Sequence, residues 1–138
     1  MKQQAMWIAM ILLALNISYA GDEEAIGAAE TVADSWLALT DGEDFSGSWT
    51  NASSLFRASI TQSDWEQALS AARRPLGKLS TRELDSAAFY TTLPGAPDGE
   101  YVVLKFNSSF DNKEAAVETV TVMLDRDQSW RVSGYFIR

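Results

Sequence analysis

Apolar and polar side chains alternate most clearly toward the C-terminus, along Gly99–Phe106, Val117–Leu124 and Trp130–Arg138. Successive side chains of a strand point to opposite faces, so this period of two predicts three strands. In the first run Val102, Leu104 and Phe106 share a face against Tyr101, Val103 and Lys105. In the second, Glu118, Val120, Val122 and Leu124 oppose Thr119, Thr121 and Met123. Counting through the third sets Trp130, Val132 and Phe136 against Arg131, Ser133, Tyr135 and Ile137. One face is apolar and the other mixed, as in an antiparallel sheet covered on one side. The breaks Asp111–Lys113 and Arg126–Ser129 are short and rich in turn formers, so successive strands should pair as neighbours. Leu79–Leu93 alternates loosely and changes phase at Phe89–Tyr90, which predicts one more, long strand carrying a bulge or a bend.

Upstream the apolar period lengthens to about 3.6 residues. Ala29, Val32, Ala33, Trp36, Leu37 and Leu39 form the stripe of an amphipathic helix that ends near Asp41-Gly42, where glycine can take a left-handed cap. Phe45, Trp49, Ala52, Phe56 and Ile60 predict a second helix. Ser63 and Glu66 read as the capping box of a third, with Trp65, Ala68, Leu69 and Ala72 as its stripe and Pro75 and Gly77 as its stop. The expected fold is α+β, with three N-terminal helices packed on one face of a curved four-stranded antiparallel sheet. Trp36, Trp49, Trp65, Phe106 and Trp130 are its expected core.

Composition changes this picture in three ways. Met1-Lys2, the apolar run Ala5–Leu15 and the small residues Ser18 and Ala20 resemble an export signal, which divides the 138 residues into a signal peptide at 1–20 and a single domain at 21–138. The apolar run is shorter than the roughly 20 residues of a spanning helix, so no stable membrane anchor is expected after cleavage. A periplasmic or secreted location in a bacterium follows. Cysteine and histidine are both absent, which removes disulfides, thiolate chemistry, the commonest general base and the commonest metal ligand. Neither a metal nor a cofactor is expected. With 11 basic and 19 acidic side chains the net charge is −8, a poor match to nucleic acid.

Trp36-Leu37-Ala38-Leu39, Leu55-Phe56-Arg57, Arg74-Pro75-Leu76-Gly77, the run Pro94-Gly95-Ala96-Pro97-Asp98-Gly99-Glu100-Tyr101 and Trp130–Ile137 together resemble the bacterial domain-of-unknown-function family 4019. That family has no agreed activity, so the resemblance implies a relative and no reaction. The order of helices followed by a curved sheet also resembles the nuclear-transport-factor-2-like cone fold. Such folds host isomerases, dehydratases and plain binding or dimerisation modules.

An isomerase of that kind needs a carboxylate base in an apolar cavity and a hydroxyl to hold the developing enolate. Glu118 counts to the apolar face and is the candidate base. Tyr90 is the candidate hydroxyl, because Tyr101 and Tyr135 count to the other face. The competing expectation is that Glu118 reaches solvent or pairs with Arg57 or Arg74. Trp36, Trp49 and Trp65 are candidate walls for a small apolar ligand, although one tryptophan per helix stripe is more simply core. Tyr101, Val103, Thr121, Met123, Tyr135 and Ile137 should project from the uncovered sheet face, more apolar than water requires. They are the candidate interface for a second copy or another envelope protein. The expected function is an exported, non-catalytic binding or interaction module, with the Glu118 enzyme as the alternative.

Overall fold

The computed structural model describes the backbone of residues 2–138 and the side chains from Asp22 onward; the expected signal at 1–20 lies outside the residues with described side chains. Four helices precede four strands: α1 Lys2–Asp41, α2 Phe45–Thr50, α3 Ser54–Ser59, α4 Gln62–Arg73, a 3-10 turn at Arg74–Leu76, then β1 Leu79–Tyr90, β2 Tyr101–Phe110, β3 Lys113–Leu124 and β4 Trp130–Ile137. The strands form one antiparallel sheet in the order β1-β2-β3-β4, and the helices cover one of its faces. The α+β class is therefore observed. Among the described residues no helix is long and apolar enough to cross a membrane.

The helical half differs from expectation in its local chemistry. The expected second helix is two short ones, because Asn51 and Ala52 leave the helix and Ser53 caps α3 by accepting from Phe56 N. Ser53 N also donates to Val132 O at 2.8 Å, which ties the break to the sheet. The start of α4 is capped by Thr61, whose hydroxyl accepts from Asp64 N, rather than by Ser63. After α1 the left-handed residue is Glu43, at φ 60, rather than Gly42. Gly77 does occupy such a conformation, at φ 75, where an added Cβ would also press on Asp111 Cβ at 3.1 Å.

Trp36, Leu37, Trp65 and Leu69 pack from the helices onto Val102, Leu104, Phe106, Val120, Val122 and Val132. Trp36, Trp49 and Trp65 serve this core, Trp49 at its edge, and each of these indole N–H groups has an acceptor: Ser48 O for Trp36, Ile60 O for Trp49 and Ser48 Oγ for Trp65. A buried indole needs such a partner to avoid a desolvated donor. Trp130 is only half-buried and packs against the core from outside, which corrects its assignment as a core residue.

Two bulges reset the faces. In β1 the register breaks between Leu84 and Ser86, so Arg82 and Leu84 share the inner face with Ala87 and Phe89. In β4 Thr121 pairs with Gly134 while Val122 pairs with Val132, leaving Ser133 as the extra residue. Beyond it the alternation inverts. Tyr135 and Ile137 turn inward opposite Val120 and Glu118, and Phe136 turns outward opposite Thr119. Regular counting had these three reversed, since one unpaired residue moves every later side chain to the other face.

Candidate functional site

Glu118 lies in mid-sheet on the inner face of β3, paired with Phe106 on one side and Ile137 on the other, and it is 0% exposed. Four donors converge on its carboxylate. Arg82 Nε and Ser108 Oγ reach Oε1 at 2.8 and 2.5 Å. Arg82 Nη2 reaches Oε2 at 3.1 Å, and the Tyr135 hydroxyl donates to the same oxygen. A carboxylate offers about four lone-pair directions, so this one is filled.

The network continues outward through the arginines. Arg82 donates from Nη1 and Nη2 to Asp41 at 2.8 and 2.9 Å, and so bridges two carboxylates with one planar fork. Arg73, buried as the last residue of α4, donates to Thr40 Oγ1 and to Asp41 Oδ1, each at 2.8 Å, and comes within 4.0 Å of Glu118. Its guanidinium stacks 4.8 Å above the Phe110 ring. Arg73 Nε is buried without an acceptor. The helix ends and all four strands are thus fastened at one point, with two cations balancing two anions. Burial alone would raise the Asp41 carboxyl; hydrogen bonds and charge from Arg82 and Arg73 outweigh it and hold the group below the usual carboxylate range. Burial would lower Arg82, and Asp41 and Glu118 more than reverse this. The Tyr135 phenol is pushed well above its ordinary value by burial first, then by the charge and hydrogen bond of Glu118.

The expected hydroxyl partner was the wrong tyrosine. Tyr90 pairs with Tyr101 at the far end of the sheet and is 43% exposed, whereas Tyr135 meets Glu118 because of the Ser133 bulge. The expected arginines were wrong too: Arg57 bonds Ala52 O and Arg74 bonds Glu43, while Arg82 and Arg73 face Glu118. The alternation of Arg82 with Leu84, which shares its face, was the available signal for it. A cleft of about 300 Å³ opens beside the network at Asp41 and Arg73, and Glu118 is not in its lining.

Two other regions bear on binding. A groove of about 520 Å³ runs between α1 and the β3–β4 hairpin over Val32, Trp36, Leu39 and Trp130; Trp49 and Trp65 do not line it. The uncovered sheet face presents Val103, Thr121 and Met123, as expected, but not the other three interface candidates. Tyr135 and Ile137 face inward. Tyr101 counts outward yet is 1% exposed, because its hydroxyl donates to Pro97 O at 2.6 Å and the connection before β2 covers it. Phe136 takes their place at 60% exposure. Asp125, under α3, accepts from Ser54 N and Oγ, Arg126 N and Arg131, and with Asp127 it serves hairpin structure. Among the described residues no cluster of three metal-ligating side chains occurs.

No curated protein and no solved structure matches the chain, so the likeness to the cone fold rests on the order of elements alone. One family model, described as "Protein of unknown function (DUF4019)", matches residues 32–135 and takes in every member of the buried network from Thr40 to Tyr135. On a match of that extent, the chain belongs to the DUF4019 family.

Proposed function

We propose that this protein is a non-catalytic interaction module of the bacterial envelope that meets a protein partner through the outer face of its sheet. The exposure of Phe136, 60% on a strand of that face, carries the reading. It stands beside half-buried Thr119 and Thr121, with Val103 and Met123 further across. A mixed face that carries a protruding aromatic beside aliphatic and threonine side chains has the composition of an interface rather than of a solvated sheet. The leader-like residues 1–20 support an envelope location.

The isomerase or dehydratase reading is weaker because a general base needs a lone pair facing its substrate, and Glu118 already receives four hydrogen bonds. A photo-crosslinking amino acid at position 136, compared in cells with one at the exposed helix position 67, tests the proposal. Adduct specific to position 136 is expected. Equal or lower yield there than at 67 would remove it.

A further inference from the structure

We infer that the partner at this face is a second copy of the chain, related by a two-fold axis that runs along the strands between β2 and β3. This rests on the interaction reading and adds both the partner and its orientation. The ladder places outer-face residues in cross-strand rows. Glu83, Asn107, Val117 and Arg138 form one row; Ser86, Lys105, Thr119 and Phe136 the next; Ala88, Val103, Thr121 and Gly134 the third. Tyr90 and Arg131 end a fourth, whose middle lies under the connection that covers Tyr101.

Turning this face about an axis parallel to the strands lays β1 of one copy on β4 of the other and keeps each row opposite itself. Phe136 then lies over the second copy's Ser86, where a short side chain leaves room for the ring. Glu83 faces the second copy's Arg138. The other two-fold arrangement, with the axis across the strands, inverts the rows. It takes Arg138 away from Glu83 and leaves Glu83 facing a tyrosine. Only the first arrangement pairs Glu83 with Arg138, so complementarity selects it.

Net charge supports a meeting at this face. Two chains of net −8 repel over most approaches, and the solvent side of α1 carries Glu23, Glu24 and Asp34. The sheet rows set Lys105 and Arg138 against Glu83, so the copies can approach here without that repulsion.

The chain has no cysteine, which permits a clean test with Ser86→Cys and Phe136→Cys in one chain. Within a copy these positions are three strands apart, about 14 Å at the usual strand spacing. Facing sheets stack about 10 Å apart, beyond the roughly 7 Å between Cα atoms that a disulfide allows, so the two thiols are joined through a short bismaleimide rather than directly. A bismaleimide with a reach of about 10 Å should therefore give a covalent dimer from the double variant and from neither single one, and light scattering of the unsubstituted protein at micromolar concentration should give the dimer mass. Glu83→Arg should raise the dissociation constant about tenfold, since symmetry removes two surface ion pairs. Adding Arg138→Glu should restore it. A strict monomer, or a dimer whose double-cysteine variant stays unlinked, would overturn the inference. If a monomer still gave adduct to another protein at position 136, the interaction reading would stand and only the second copy would fall.

Discussion

The two faces of this sheet invert the ordinary assignment of side chains: the inner face holds a glutamate at 0% exposure and the outer face a phenylalanine at 60%. The glutamate is tolerated inside because four donors and two guanidinium groups replace the water it lost. Burial of an ion is costly, and only close, well-directed partners offset it. The phenylalanine has no such compensation on its side, and exposed aromatic area is the kind of surface that association covers. Inside, the difference between the faces is a matter of polar satisfaction; outside, it is one of apolar surface still in contact with water.

Arg82→Ala is the most direct way to break the inner half of that comparison. It removes two donors from Glu118 and two from Asp41, and leaves both carboxylates short of charge compensation. The expected loss is about 3 to 5 kcal/mol, the usual consequence of stripping one partner from a buried pair, read from the urea midpoint at constant slope. A loss below about 1 kcal/mol, as for exposed pairs, would mean that Glu118 is solvated.

Tyr135→Phe should cost about 1.5 to 3 kcal/mol near neutral pH, since it deletes a hydrogen bond to a charged group. The folded phenol lies above its unfolded value, so its contribution is complete below about pH 10 and is lost as pH rises through the folded value. The variant should lack that part of the alkaline decline in a pH series of melting temperatures.

Acid works in the opposite sense. Asp41 is held below its unfolded value, as are Asp125, through the Ser54 hydroxyl first, and Asp127, at about 2, through Arg131 first. Their contribution is present above the unfolded carboxyl value of about 3.9 and is lost as pH falls through the folded ones. Stability should therefore decline below about pH 4. Arg82→Ala should flatten the Asp41 part of that decline and leave the hairpin part.

The smallest effect is expected from deleting Ser133. Deletion removes the bulge yet leaves Tyr135 inward and Phe136 outward on a regular ladder, so the change should stay within about 1 kcal/mol. If β4 were regular in the native chain, the same deletion would swap the two aromatics and unfold the sheet.

Much of the architecture was legible in periodicity. Val102, Leu104, Phe106, Val120 and Val122 alternate without interruption, and their burial follows from the two-residue repeat. The amphipathic helices carrying Trp36 and Trp65 were equally plain, because apolar burial is the strongest local signal a chain carries. Glu118 could be suspected from its phase alone, as a carboxylate counted onto the apolar face. Its partners could not be read in the same way. Ser133 becomes a bulge only when β4 meets β3, and that one unpaired residue decides whether Tyr135 or Phe136 enters the core. Arg73 and Arg82 face Glu118 because the end of α4 and strand β1 both meet Asp41 at the end of α1, a three-dimensional coincidence of residues far apart in sequence. Tyr101 is covered by a loop whose path depends on its bond to Pro97. Local patterning thus determined which elements form and which stripes are apolar. Strand pairing and helix docking alone decided which charges meet and which aromatic remains in water, because both depend on contacts that no short stretch of sequence contains.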